Sequence, residues 1–232
     1  QVEVNVGTAT PWTETSRSST TSLIDLTRTS TIDVTNVSFD STGQPTFDGT
    51  DDHISLDPNI RPTGGVGSIE AIIKPTSNNA GGIVGWGDGG TSNWGGFDTG
   101  NRTGGYNDEV LTFVNLSSGA EDLVFYGRDS VGGTNQLNDG NYHHVVVVVD
   151  GIENTMYLDG EKMSTISFTN GSTTSAFFMD MTTLNKLRVG NSTYNNEHIP
   201  FTGEIPVTKI YNRGLSADEV QQNYNAYKNR FN

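Results

Sequence analysis

The residues best suited to bind an ion lie in one glycine-dense segment, GDGGTSNWGGFDTGNRTGGYNDE, which spans positions 87–109. Its carboxylates include Asp88, Asp98 and Asp108. Calcium takes six to eight oxygen ligands, and loops rich in Asp, Asn and backbone carbonyls supply such oxygens. The segment has no EF-hand spacing, and acidic loops are commonly only solvated. We therefore expect either a calcium ion held by these three carboxylates or an ordinary solvated loop.

The same segment offers aromatic side chains that could bind a sugar. Trp94 and Tyr106 are flanked by glycine and amide residues, among them Asn107. Sugars are gripped by stacking on aromatic rings and by hydrogen bonds to their hydroxyl groups. We therefore predict a carbohydrate contact formed by Trp94, Tyr106 and Asn107, with packing of the loop onto itself as the alternative. Trp86 ends a strand and is expected in the core instead.

The carboxylates and histidines elsewhere do not form a catalytic pattern. Glycosidases need two carboxyl groups that flank the scissile bond. Glu70 is the only carboxylate in the strand-like run SIEAIIK, and one group cannot fill both roles. His143 and His144 are adjacent, so on a strand they point to opposite faces and cannot grip one metal together. The sequence therefore predicts a protein that is not an enzyme.

Composition excludes several partners. The 232 residues carry a formal net charge of −14, which repels phosphate backbones and argues against a nucleic acid partner. There is no cysteine, so the chain has no disulfides and no thiolate site. The longest apolar run, Val145–Val149, is far shorter than the roughly 18 residues that cross a bilayer, so no membrane insertion is expected.

The elements that must position these residues are short strands. β-Branched and alternating runs recur roughly every 8–15 residues, separated by turn signals. This spacing predicts an all-β fold, a two-sheet antiparallel jelly-roll sandwich over residues 23–215, preceded by an arm or edge strand at 1–22. At 216–232 the pattern changes. Ser216 and Glu219 form a capping box, and we predict a short helix packed on the sandwich.

Five stretches carry a family resemblance in order along the chain: FDGTDDHISL, SIEAIIKP, NYHHVVVVVDG, MYLDGE and FTGEIPVTKIYNRGLSADEV. Together they resemble the laminin-G-like, concanavalin A-like jelly-roll family, and the likeness covers about Leu23 to Tyr227. Tyr142 and Ile72 stand where that family usually has tryptophan. Each change exchanges one large apolar group for another, so the same fold is implied. Members of this superfamily often bind calcium at the rim of the sandwich.

The last of these stretches, FTGEIPVTKIYNRGLSADEV, and the tail that follows it resemble copies of the family in structural proteins of bacteriophages and marine viruses. The resemblance implies a non-enzymatic virion structural or decoration protein at the virion surface. Its expected partners are other virion or surface proteins, a second copy reached through the N-terminal arm, and glycans. The alternative is a secreted or cell-surface carbohydrate-binding module or adhesin that uses calcium.

Overall fold

The computed structural model describes residues 32–40, 43–100, 110–118, 120–128, 137–181, 183–194 and 197–231. The arm predicted at 1–22 lies outside these ranges. Within them the chain forms antiparallel strands and a C-terminal helix, α1 (Ala217–Tyr227). The strands are β1 (Ile32–Thr35), β2 (Ser38–Phe39), β3 (Pro45–Asp48), β4 (His53–Leu56), β5 (Gly67–Pro75), β6 (Gly81–Gly87), β7 (Trp94–Thr99), β8 (Val110–Ser117), β9 (Ala120–Arg128), β10 (His143–Val149), β11 (Thr155–Leu158), β12 (Glu161–Lys162), β13 (Thr165–Asn170), β14 (Lys186–Val189), β15 (Asn191–Tyr194), β16 (Glu197–Pro200) and β17 (Thr202–Tyr211).

The strands build two large sheets that enclose one main core. The first has eight strands in the order β1-β4-β14-β6-β7-β8-β9-β13, and the second has seven in the order β12-β11-β10-β5-β17-β3-β2. A separate hairpin joins β15 and β16. Because a half-buried strand alternates its side chains between two faces, each sheet contributes one face to the core. The predicted two-sheet antiparallel sandwich is confirmed.

The valine run lies in β10, inside the seven-stranded sheet between β5 and β11. Val145, Val147 and Val149 belong to the main core between the sheets. Val146 and Val148 face the other way and pack in a second apolar cluster. All five side chains are buried, which is why β-branched residues occupy both faces of this strand. The strand is therefore covered on both faces.

Part of the glycine-dense segment, which was predicted to be a loop, forms a strand. Residues Trp94–Thr99 form β7, which lies between β6 and β8 within the eight-stranded sheet. Glycine is required here because a Cβ at Gly95 would collide with the indole of Trp86. That indole donates from Nε1 to Oδ1 of Asn115 at 3.0 Å and is buried in the core, as predicted. Glycine-rich sequence therefore marks a close approach inside a sheet as well as a loop.

Helix α1 is positioned at its first turn and along one apolar side. Ser216 accepts from the backbone N–H of Glu219, and the Glu219 carboxylate accepts from the backbone N–H of Ser216, so the predicted capping box is confirmed. Arg213 donates two hydrogen bonds of 2.7 Å to Glu219 and lowers the pKa of that carboxyl to about 2. Val220 is buried in the second apolar cluster.

Among the residues that the structure describes, no helix is long and apolar enough to span a membrane.

The β15–β16 hairpin packs on the outer face of the eight-stranded sheet, above β6 and β7. A Cβ at Gly82 or Gly85 would collide with the backbone at Asn191 and Ser192 of the hairpin. The glycines of β6 are therefore needed because two backbones meet at their van der Waals limit.

We expect Gly85→Ala to lower the free energy of unfolding by roughly 1–3 kcal/mol, because the added methyl group must displace the hairpin backbone. Gly64→Ala is the matched control, since a Cβ at Gly64 has no other atom within 4 Å. Urea unfolding followed by tryptophan fluorescence measures both changes. Equal stability of the two variants would contradict the close packing of the hairpin.

Candidate functional site

Two of the three carboxylates predicted to share a calcium ion, Asp88 and Asp98, are not brought together. Asp88 follows Gly87 at one end of the β6–β7 ladder, whereas Asp98 pairs with Gly82 near the other end. Five residues of strand separate these ends by roughly 16 Å. Calcium ligands lie about 2.3–2.6 Å from the ion, so Asp88 and Asp98 cannot hold one ion together. Asp108 lies outside the described residues, and calcium binding itself stays a prediction.

A different cluster of carboxylates was not predicted from the sequence. Asp48, Asp51 and Asp52 offer oxygens that all lie within 4.8 Å of one another, in the turn between β3 and β4. Asp52 accepts from the backbone N–H of Asp48 at 2.8 Å, and Asp51 accepts from the amide of Asn36 at 2.9 Å. Asp48 accepts from the backbone N–H of Thr50 at 2.7 Å. Each of these carboxylates therefore already has a hydrogen-bond donor within the protein.

The predicted sugar contact is only partly described. Trp94 is 3% exposed and packs on the outer side of the eight-stranded sheet with Val114, Leu116 and Val124. Burial gives its indole a packing role, while its contact with a sugar stays a prediction. Tyr106 and Asn107 lie outside the described residues.

The densest buried polar network surrounds Glu70 on the outer face of the seven-stranded sheet. Glu70 is fully buried, and its Oε1 accepts from Nε2 of His144 at 3.0 Å. Its Oε2 accepts from the hydroxyl of Tyr211 at 2.5 Å and from the amide of Asn223 at 2.9 Å. The ammonium group of Lys209 lies 3.5 Å from Oε1. These contacts tie three neighbouring strands to helix α1.

The network also sets the ionisation of its members. Burial alone would raise the pKa of Glu70, but hydrogen bonds from His144 and Tyr211 and the charge of Lys209 hold it below the usual range. Burial and the hydrogen bond to Glu70 raise the pKa of the Tyr211 phenol to about 12. Glu70 is therefore an ionised carboxylate that accepts bonds from every side. Such a group fixes a structure and is poorly placed to transfer a proton to a substrate.

Beside this network lies a cleft of about 250 Å³, which we call the helix cleft. Its walls contain four aromatic rings: Tyr142, Tyr224, Tyr227 and Phe231. Its polar lining contains both histidines of β10 together with Asp139, Asn141, Asp159 and Lys228. Aromatic faces combined with a few polar groups are typical of small-molecule sites.

Helix spacing brings the rings of the tail to the cleft. Tyr224, Tyr227 and Phe231 stand three and four residues apart, so they share one side of α1 and of the turn that follows it. The ring centroid of His144 lies 5.9 Å from that of Tyr224 and 6.5 Å from that of Tyr227. Phe231 reaches Tyr142 at 5.4 Å. The tail therefore closes the cleft against the start of β10.

His143 is clamped between two carboxylates at the rim of the cleft. Its Nδ1 lies 2.9 Å from Asp159 and its Nε2 lies 3.2 Å from Asp139. Burial alone would lower the pKa of His143, but the hydrogen bond and charge of Asp159, followed by those of Asp139, raise it above the usual value. The two adjacent histidines have separate partners, and that they cannot hold one metal together stays a prediction.

The comparisons with known proteins agree with this architecture. A family model of laminin G type, described as the concanavalin A-like lectin/glucanases superfamily, matches residues 48–221. The fold is that of a concanavalin A-like β-sandwich domain. The chain belongs to the concanavalin A-like lectin/glucanases superfamily. A search of curated proteins found no match.

Solved structures show the same fold at low sequence identity. The CBM40 domain of the Ruminococcus gnavus IT-sialidase is 14% identical with a TM-score of 0.57, and the match covers 82% of this chain and 97% of that one. Its complex with α2,3 sialyllactose is 15% identical with a TM-score of 0.56, covering 80% and 100%. Domain 4 of AbnA, a GH43 extracellular arabinanase from Geobacillus stearothermophilus solved with arabinotriose, is 17% identical with a TM-score of 0.55, covering 83% and 86%.

We expect the stabilising effect of His143 to fall as pH rises. Its folded-state pKa lies above the ordinary value, so its contribution is complete below about pH 6.5 and is lost as pH rises through the folded-state pKa. His143→Gln should therefore lower the free energy of unfolding by roughly 1.5–3 kcal/mol at pH 5.5 and by less at pH 9. Urea unfolding at the two pH values measures the difference. His198→Gln, which changes an exposed histidine, is the control. An equal loss at both pH values for His143→Gln would contradict the clamp.

Proposed function

We propose that the chain is a non-catalytic carbohydrate-binding domain and that glycans bind in the helix cleft. The observation that carries this proposal is the meeting of four aromatic rings with carboxylate, amide and ammonium groups in one cleft. Sugars combine apolar ring faces with hydroxyl edges, so they match this mixture. The fold is shared with the sialidase and arabinanase domains named above, which were solved with sugars bound.

The aromatic rings that line the helix cleft are held in place by packing. Tyr224 and Tyr227 are half-buried, so each is fixed by packing while part of its ring stays open. The ammonium group of Lys209 lies 4.8 Å from the ring centroid of Tyr227, which further restrains that ring. Rigid aromatic side chains lose little conformational entropy on binding. The cleft is therefore preorganised for a ligand.

The position of Glu70 supports a binding role over a catalytic one. A hydrolase of this fold needs a pair of carboxyl groups at the scissile bond. In the helix cleft, Asp139 and Asp159 are both engaged by His143, and Glu70 is sealed beneath the helix.

The likeness in fold to a sialidase domain and to a domain of an extracellular arabinanase supports the secreted or cell-surface role over the virion role. The virion role is a prediction from the virus-like last stretch, the N-terminal arm and the lack of a catalytic pattern, and the comparisons above lend it no support. We infer a location outside the cell or at its surface, where such glycans are presented. Self-association through residues 1–22 stays a prediction, as does the use of calcium.

We expect Tyr224→Ala to weaken glycan binding about tenfold, because stacking on one ring contributes on the order of 1 kcal/mol beyond the area it covers. A glycan array identifies the bound sugars, and isothermal titration then compares wild type with the variant. Phe177→Ala removes another partly exposed aromatic ring outside the cleft and should bind like wild type. No binding by the wild-type chain to any glycan would overturn the proposal.

A further inference from the structure

One buried polar atom of the helix cleft has no partner among the described residues. His144 is 2% exposed, and its Nδ1 makes no hydrogen bond. Buried polar atoms are nearly always hydrogen-bonded. A buried polar atom without a partner, in a residue that lines a cleft, therefore marks a place where a ligand or water can bind. The ring lies near Tyr224 and Tyr227, two of the aromatic residues that line the same cleft.

The hydrogen-bond network assigns the role of this atom. Nε2 of His144 faces the carboxylate of Glu70, which can only accept, so Nε2 carries the proton and donates. Nδ1 is then an acceptor in the neutral ring and a donor in the imidazolium, and a hydroxyl group can pair with either. Glu70 is itself held by Tyr211 and Asn223, so it acts as a positioning residue for the imidazole. The cleft therefore contains an unpartnered ring nitrogen with which a hydroxyl group can pair.

The charges of the cleft are largely balanced within the protein. Asp139 and Asp159 flank His143, and hydrogen bonds from Asn141, followed by the charge of His143, hold the pKa of Asp139 below its usual range despite burial. Lys228 is exposed and lies 5.7 Å from the ring centroid of Tyr224. A single exposed ammonium group adds little binding energy. An uncharged ligand therefore fits this lining better than an anion or a cation.

Building on the proposed function, we propose that the helix cleft binds a neutral sugar and that Nδ1 of His144 forms a hydrogen bond with one of its hydroxyl groups. The volume of about 250 Å³ lies just below the roughly 300–1,000 Å³ of pockets for drug-sized ligands. The cleft therefore suits one sugar ring, such as the end of a glycan chain, rather than an extended segment. The aromatic rings hold the apolar face of that sugar, and His144 reads its hydroxyl edge.

The test uses the full chain with ¹⁵N-labelled histidine and the neutral oligosaccharides of a glycan array. Lactose and 3′-sialyllactose serve as a matched pair that differs in one charged sugar. NMR follows the Nδ1 resonance of His144 during titration, since a purely structural histidine would not respond to the sugar. His144→Gln assigns the resonance and keeps both an N–H for Glu70 and an oxygen for the cleft. His144→Phe removes both, and His198→Phe is the control.

We expect a neutral glycan to shift the Nδ1 resonance of His144 and to leave that of His198 unchanged. His144→Phe should weaken its binding about tenfold or more, whereas His144→Gln should stay within about threefold of wild type. If wild type binds a glycan but this resonance does not move and His144→Phe binds equally well, the inference fails while the proposed function stands. A preference for sialyllactose over lactose overturns the neutral specificity. If wild type binds no glycan at all, both proposals fail.

Discussion

The carboxylate of Glu70 is the group on which the helix and the cleft depend. A buried ion loses its hydration, and that cost is offset only when hydrogen bonds and opposite charge surround it. Here the compensating groups come from β10, β17 and α1, while Glu70 itself belongs to β5. If any one of these elements were removed, the Glu70 carboxylate would lose a hydrogen bond or an opposite charge that compensates for its burial. The position of the helix is therefore determined by electrostatics as well as by apolar contact.

Apolar and polar contacts divide the helix between them. Near its start, Val220 and Leu215 cover Val146 and Val148 of the sheet, a non-directional contact that would tolerate small shifts. Further along, Asn223 must donate to Glu70, which fixes the rotation of the helix. Because Tyr224 and Tyr227 follow within the same turn, this bond also fixes where their rings point. The geometry of the cleft is thus a consequence of the buried polar network.

The sequence predicts the individual strands and the helix better than it predicts the contacts between them. The valine run and the capping box at Ser216 are local patterns, so their strand and helix could be predicted directly. Strand β7 could not, because its glycines make room for the Trp86 indole, a contact between neighbouring strands. The helix cleft also depends on register: Val146 pairs with Glu70 and His144 with Ile72, which puts histidine and carboxylate on one face. A lone Glu in an apolar strand was the available signal, since a buried carboxylate needs partners.

A similar contrast between buried and partly open aromatic rings supports the proposal of a sugar site at the helix cleft. Trp86 and Trp94 are buried, so their rings hold the eight-stranded sheet together and any change there disturbs packing. Tyr224 and Tyr227 lie near the end of the chain, outside the main core, and keep part of their rings open. A tail of this kind can exchange its aromatic residues while the core between the sheets is unchanged. The fold therefore separates the residues that define the sandwich from those of the proposed sugar site.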